Sequence, residues 1–426
     1  MRDALKRLKE RHRRGEVGGL FAVCSAHPVV LGCAMEAARA EEGPLLVEAT
    51  ANQVNQFGGY AGLTPARFVE YVGQLARQAG LPGERVLIGA DHLGPHVWKG
   101  ECAAEALQKA EELVRQCMRA GFHKIHLDTA AGCADDAGRP LSLEQTAQRA
   151  ARLCRAAEAA RTDTGGAGGP LYVIGNEVPP PGGALEEGDD PVITQPDQLM
   201  AAVAIYQQAF AQAGVAAAWP RVVAVVVQPG VDFGDQRAAV FRPERAAALS
   251  AAHDRLPGGM TYEIHATDYQ SPEALRQMVR DHFLLLKVGP CLTFALRRAL
   301  YALAEIEASM EKIAAPSRLP QVMERLMTAR PEHWRSHYTG SEAQCRHWRH
   351  HSLRDRIRYY WSVPEAGQAV AQLMRNLSRP LPEALLKELL PDLYAQIIRE
   401  GLAADPAAIV RCAVRNALMP YVAACR

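Results

Sequence analysis

Arg85-Val86-Leu87-Ile88-Gly89-Ala90-Asp91-His92-Leu93-Gly94-Pro95 is the stretch on which the fold turns. The branched apolar run Val86-Leu87-Ile88 reads as a buried strand, here placed over 86–90. Gly94 and Pro95 break it, so Asp91 and His92 fall at its C-terminal tip. An adjacent acid and imidazole suits metal chemistry: the ring binds a cation and the carboxylate moves a proton. The same residues could equally cap the next helix and pack, so the other strand ends decide.

Working outward, the same alternation recurs. Upstream come strand 20–24 and helix 30–40, then strand 45–47 and helix 66–78. Strand 86–90 leads to helix 103–119, strand 124–127 to helix 142–160, and strand 171–174 to helix 197–212. Strand 221–227 leads to helix 243–255, strand 261–264 to helix 272–281, and strand 284–288 to helix 294–309. Eight strand–helix units with short connections predict a (β/α)8 TIM barrel rather than an open doubly wound sheet. Residues 1–17 read as a basic surface helix ahead of the barrel. After residue 312 the strands stop, and Pro316 and Pro320 mark a boundary. The expected organisation is therefore a barrel over 1–312 and a helical appendage over 313–426, with helices at 320–329, 352–361, 365–377, 382–398 and 406–424.

Composition narrows the function. The 426 residues carry a formal net charge of +1, which offers no electrostatic reason for nucleic acid or an anionic membrane as partner. No apolar run approaches a membrane span, and the start has no apolar leader, so a cytoplasmic protein is expected. The ten cysteines contain no Cys-x-x-Cys pair and are expected to be reduced. No Gly-x-Gly-x-x-Gly opens a helix after a strand, and no Gly-x-x-x-x-Gly-Lys-Ser/Thr loop is present, which argues against nucleotide chemistry.

In a barrel, function gathers at the C-terminal strand ends. Those ends hold Ser25 and His27, Glu48, Asn52 and Gln53, Asp91 and His92, His126 and Asp128, Asn176 and Glu177, Gln228, His265 and Asp268, and Lys287. A purely structural barrel has no use for so many polar groups at one mouth. Histidines and carboxylates together suggest one divalent cation, with His92 and His265 as nitrogen ligands and Glu177 or Asp128 as oxygen ligand. Zinc, magnesium and manganese all remain open. Asp91, Glu177 and Asp128 are the candidate catalytic carboxylates, with Asp91 preferred as base. Lys287 and the basic, aromatic run around Arg356 and Arg358 are candidates for a phosphate group. The amide-rich loop from Asn52 and Gln53 to Tyr60 suits sugar hydroxyls.

The motifs Cys24-Ser25-Ala26-His27-Pro28, Asn52-Gln53-Val54-Asn55-Gln56-Phe57-Gly58-Gly59-Tyr60, Asp91-His92-Leu93-Gly94-Pro95, Lys124-Ile125-His126-Leu127-Asp128, Glu177-Val178-Pro179, Gln228-Pro229-Gly230, Thr267-Asp268-Tyr269-Gln270, Lys287-Val288-Gly289-Pro290 and Asp355-Arg356-Ile357-Arg358-Tyr359-Tyr360-Trp361 together resemble the Z-subunit family of D-tagatose-1,6-bisphosphate aldolase. Thr129-Ala130 departs from the Ala-Ser that often follows the aspartate in that family, and the Gly-rich run 165–169 is peculiar to this chain. The resemblance implies a class II aldolase-type barrel and two functions. One is a non-catalytic subunit that stabilises a class II aldolase catalytic subunit. The other is a metal-dependent 4-epimerase interconverting the phosphorylated ketohexoses D-tagatose 6-phosphate and D-fructose 6-phosphate by retro-aldol cleavage. The Arg356–Trp361 segment is expected over a barrel mouth, of its own chain or of a neighbour's in a homo-oligomer.

Overall fold

The computed structural model describes residues 2–136, 140–163, 169–175, 183–185, 190–311 and 313–426. Asn176 and Glu177, most of the Gly-rich run and the expected boundary residue 312 lie outside them.

Helix α1 (Arg2–Arg13) precedes the barrel. Then follow β1 (Leu20–Cys24), α2 (Pro28–Ala40), β2 (Leu45–Thr50), α3 (Pro65–Ala79), β3 (Val86–Leu93), α4 (Ala103–Arg119), β4 (Lys124–Leu127), α5 (Leu143–Asp163), β5 (Leu171–Ile174), α6 (Pro196–Gln212) and β6 (Val222–Val226). A short antiparallel ribbon, β7 (Asp232–Phe233) with β8 (Ala238–Ala239), interrupts the sixth unit. The series ends with α7 (Pro243–Ala251), β9 (Thr261–Ile264), α8 (Pro272–Arg280), β10 (Leu285–Val288) and α9 (Pro290–Ser309). Strands close in the order β1-β10-β9-β6-β5-β4-β3-β2, all pairings parallel: the expected eight-stranded TIM barrel. Pro28, Pro65, Pro196, Pro243, Pro272 and Pro290 each start a barrel helix, where a missing N–H leaves no bond unmade. Helix α4 buries Ala106, Leu107, Ala110, Leu113, Val114 and Cys117, one stripe at helical spacing.

The two strand faces bury different things. Outward residues such as Val23, Val47, Ile125, Tyr262 and Leu286 pack under the helices in the main core. Inward residues at the N-terminal end, Leu20, Leu46, Leu87, Leu171 and Leu285, form a separate apolar plug closed by Leu5 of α1. Two residues further along, the interior turns charged: Glu48, Lys124, Glu263 and Lys287 are all buried there. Side chains two apart share a face, so the next inward step brings His126 from β4 and His265, just past β9, to the C-terminal mouth.

After the barrel come α10 (Leu319–Ala329), α11 (Glu342–His351), α12 (Pro364–Asn376), α13 (Glu383–Leu389), α14 (Pro391–Arg399) and α15 (Pro406–Ala424). Helix α15 packs on α2, α8 and α9. It closes the barrel seam, where the Gly19 N–H donates to the Cys425 carbonyl at 3.1 Å. The helix expected over 352–361 is instead a 3-10 turn, Arg356–Tyr360, because Asp355 is left-handed at φ 44° and breaks the path from α11. The helix expected over 382–398 divides at Pro391, and the one over 243–255 ends at Ala251. None of the ten cysteines is in a disulfide. Among the described residues no helix is long and apolar enough to cross a membrane.

Candidate active site and metal centre

Strict alternation would send Asp91 and His92 to opposite faces of β3. The register of β3 against β4 shifts between Ala90 and Leu93, and His92 takes φ 49°. That bulge brings both side chains to the mouth, and the strain of a left-handed histidine is a common mark of a functional position. Gly94 is a glycine for a steric reason: a Cβ there would sit 1.6 Å from the Asp128 carbonyl oxygen, so only glycine lets the tips of β3 and β4 approach.

Three imidazoles meet at this point. Ring centroids of His92, His126 and His265 lie 5.0–5.3 Å apart. Together with an Asp91 oxygen, their ligand atoms lie within 4.8 Å of one another. Each ring has one nitrogen held by a carboxylate: His92 Nδ1 by Asp128 at 2.7 Å, His126 Nδ1 by Asp91 at 2.9 Å, and His265 Nε2 by Glu263 at 2.9 Å. His126 Nδ1 also lies 3.3 Å from the His92 backbone nitrogen, but the shorter carboxylate contact assigns the proton to Nδ1. The opposite nitrogens then carry lone pairs toward one another, and among the described residues the buried His126 Nε2 has no hydrogen-bond partner. Carboxylate-braced imidazoles presenting free nitrogens fit a bound divalent cation.

The electrostatic setting differs from ring to ring. Burial and the nearby Lys287 push His265 down to about 3, so its ring is neutral and able to ligate. Burial would lower His92, but Asp91 and Asp128 outweigh it and raise the ring. Asp128, raised by burial, is brought down to about 2 by its bond to His92. Burial likewise opposes ionisation of Asp91, yet His92 and Lys287 hold it well below the carboxylate range. Asp91 Oδ1 takes the His126 ring, the His92 N–H and Lys287; Oδ2 is the oxygen left over, 3.6 Å from His92 Nε2.

Beneath the imidazoles lies a buried ion network that sequence reading missed. Lys124 Nζ bridges Glu48 at 2.6 Å and Glu263 at 2.7 Å. Lys287 Nζ pairs with Glu48 at 2.8 Å and with Asp91. Gly89 makes room for it, since a Cβ would meet Glu48 Oε1 at 2.6 Å. Burial lowers the Lys287 ammonium, but Asp91 and Glu48 raise it well above the usual range. It is a paired cation, so it is neither a free amine for Schiff-base chemistry nor an unpaired anchor for phosphate.

An inner chamber of about 70 Å³ is lined by Cys24, Thr50, Asp91, His92, His265, Asp268, Lys287 and Tyr359, among others. A larger one of about 460 Å³ is lined by Ser25, His27, Leu63, Tyr71 and Trp361. Gln53, Tyr60 and Arg358 line both and form the neck between them. The structure thus brings Ser25, His27, Gln53, Tyr60, Asp91, His92, His265, Asp268, Lys287 and Arg358 to one connected space. Asp268 Oδ1 is committed to the N–H groups of Gly289 and Cys291, at 3.1 and 2.8 Å, at the start of α9. Glu48, Asn52, Gln228 and Arg356 line neither chamber. Gln228 closes its own loop onto Gly230 and Val231 at 2.8 Å, and Asn52 accepts the Tyr60 N–H through its carbonyl. Asp128 also lines neither chamber and instead holds His92 Nδ1. His126, seen at a strand end but not chosen as a ligand, and Cys24, Thr50 and Tyr359 are site residues that sequence reading did not choose. The recurring pattern of a charge followed two residues later by a mouth residue (Glu48/Thr50, Lys124/His126, Glu263/His265) is the signal that would have found His126.

Arg356 is buried and Arg358 half-buried, and among the described residues neither pairs with a carboxylate. Arg358 donates to the Asp355 carbonyl at 3.1 Å and the Tyr359 hydroxyl at 3.1 Å. Arg356 donates to the His333 carbonyl and keeps a buried, unpartnered Nη1.

Comparison with known proteins adds two findings. A family model for the D-tagatose-1,6-bisphosphate aldolase subunit GatZ/KbaZ-like matches residues 5–426. A crystal structure of a probable tagatose 6 phosphate kinase from Sinorhizobium meliloti 1021 is similar at 43% identity and TM-score 0.85, covering 96% of this chain and 100% of that one. Weaker similarity, 13% identity and TM-score 0.44, extends to the YdjI aldolase from Escherichia coli K12, over 73% of this chain and 87% of that one.

Proposed function

The chain belongs to the GatZ/KbaZ-like family of D-tagatose-1,6-bisphosphate aldolase subunits, and from that premise we propose that it is itself a metal-dependent 4-epimerase of ketohexose 6-phosphates, interconverting the D-tagatose and D-fructose forms. The observation that carries this reading is the set of three carboxylate-braced imidazoles with a buried, unpartnered His126 Nε2. A subunit that only props up a partner would gain nothing from such a set, since buried polar atoms without partners cost stability.

His92, His126 and His265 would hold the ion, and their nitrogen-rich set favours zinc over magnesium. When bound, the ion would act as a Lewis acid toward the ketone end of the sugar. The rest falls to the chain's own residues. At about 70 Å³ against about 460 Å³ for the outer chamber, the inner one takes the reacting carbons and leaves the rest of the sugar phosphate to the larger space. The phosphate end extends past the neck, where Arg358 offers a cation that has no carboxylate partner among the described residues. Asp91, ionised, accepts the C4 hydroxyl proton through Oδ2. The C3–C4 bond breaks, its electron pair passing into an enediolate on the three-carbon ketone fragment, and C4 becomes the aldehyde of glyceraldehyde 3-phosphate. Re-addition to the other aldehyde face gives the C4 epimer. Glu177, three residues beyond β5 in sequence, remains a candidate fourth ligand or acid.

The test is the purified chain alone, zinc-loaded, with D-fructose 6-phosphate in deuterated water. D-tagatose 6-phosphate should form without deuterium at C4. Asp91→Asn should slow this by about 10²–10⁴-fold. Deuterium at C4 would replace retro-aldol cleavage with proton abstraction there. No conversion, with stimulation of a class II aldolase catalytic subunit instead, would establish the non-catalytic subunit role.

A further inference from the structure

The two epimers differ in where C4 carries its oxygen. If the ketone end is held at the imidazoles and the phosphate end beyond the neck, inversion exchanges the positions of hydrogen and hydroxyl at C4. One acid–base group on one side cannot serve both positions. Asp91 reaches the chamber from the C-terminal end of β3. The inner chamber's lining also includes Tyr359, carried by the Arg356–Tyr360 turn of the C-terminal region.

We propose that Tyr359 is the second catalytic acid–base group, exchanging a proton with the C4 oxygen of the epimer that Asp91 does not serve. This assignment rests on the epimerase reading above. The phenol is clamped in place. Tyr60 meets the ring edge-on at 4.4 Å, His333 stacks on it at 4.8 Å, and the Arg356 and Arg358 guanidinium carbons lie 4.9 and 4.6 Å from its centroid. Its oxygen accepts from Arg358 Nη2 at 3.1 Å, which leaves the hydroxyl proton for a ligand. Among the described residues these charged and titratable groups pack on its ring, and the two arginines act together. Burial raises the phenol, but Arg358 and Arg356 more than reverse this and lower it. The other eleven tyrosines, among them Tyr60, Tyr172, Tyr269 and Tyr421, are all shifted upward.

The proton balance closes without a co-reactant. In one direction Asp91 takes the C4 hydroxyl proton, the C3–C4 bond breaks, the aldehyde presents its other face, the bond re-forms, and the new alkoxide takes the Tyr359 proton. The protonated Asp91 and the tyrosinate then return to their starting forms by exchange with water. The reverse reaction exchanges the two roles.

The experiment uses the zinc-loaded full chain and Tyr359→Phe, whose fold is checked by near-UV circular dichroism. Cleavage of each epimer is followed separately by trapping the released aldehyde with phenylhydrazine. Tyr359→Phe is expected to cleave one epimer at the wild-type rate, to lose cleavage of the other by about 10²-fold or more, and to lose epimerisation. Equal loss on both epimers, or no loss on either, would overturn the assignment. A wild-type chain that cleaves and epimerises neither sugar would instead remove the epimerase reading, and this assignment with it. A second measurement needs neither metal nor sugar. In an alkaline titration read at the tyrosinate absorbance, the first transition of the wild type should be missing from Tyr359→Phe. Identical titrations would also overturn the assignment.

Discussion

Lys124 is the most informative residue to remove, because its buried ammonium bridges two buried carboxylates. Its ammonium is fully enclosed, 2.6 Å from Glu48 and 2.7 Å from Glu263, and both carboxylates are enclosed with it. Lys124→Met keeps most of the volume and deletes the charge. Glu48, Glu263 and Asp91 are then left with Lys287 as the one lysine among them. Breaking a buried pair from one side costs about 3–5 kcal/mol, because the remaining charge stays out of water without a partner. An unfolding entropy of about 2.1 cal/mol/K per residue over 426 residues gives about 0.9 kcal/mol/K, so the melting temperature should fall by roughly 3–6 °C. The assay is differential scanning calorimetry at pH 7.5 in 0.05 and 0.5 M salt. Screening reaches enclosed pairs poorly, so the loss should be the same at both. Adding Glu48→Gln to Lys124→Met should recover part of the loss, since it removes a carboxylate left short of a partner. A loss below about 1 kcal/mol, the scale of an exposed pair, would refute the network as a structural element. So would a double variant whose loss is the plain sum of the singles.

Three further outcomes follow from the same geometry. His126→Ala should reduce zinc content, measured by plasma mass spectrometry after dialysis, from one equivalent to near none; retention of a full equivalent would exclude His126 as a ligand. Arg358→Ala should raise KM for a ketohexose 6-phosphate by about tenfold or more while leaving the unphosphorylated ketose little affected, and equal effects would make the arginine structural. At Glu158, burial works against ionisation, but the Arg221 and Tyr172 hydrogen bonds hold the carboxyl below its ordinary value. Its stabilisation is therefore present above the unfolded carboxyl's range and is lost as pH falls through the lowered folded value. Thermal melts from pH 6 to 3 should fall more steeply for the wild type than for Glu158→Gln.

The sequence by itself was enough for the barrel. Eight apolar runs of strand length, each followed by an amphipathic helix, leave few other closed arrangements, because parallel strands need helical crossovers. It was also enough to bring Asp91, His92 and His265 to one mouth, since parallel strands all end on the same side. Local signals failed where a side chain's role depends on what lies across the barrel. Lys124 and His126 read as polar residues in a four-residue strand. Only closure brings Glu48, 76 residues away, onto Lys124, and turns His126 toward two other rings. The bulge that lets adjacent Asp91 and His92 share a face is likewise set by pairing between β3 and β4, not by β3 alone. Tyr359 lay furthest from reach. Its turn was expected as a helix, and its setting between two arginines beside the barrel mouth exists because the C-terminal region folds back over strands more than two hundred residues earlier. Periodicity reports which face of an element is buried. Which buried groups meet is decided by packing between elements, and that is where this chemistry resides.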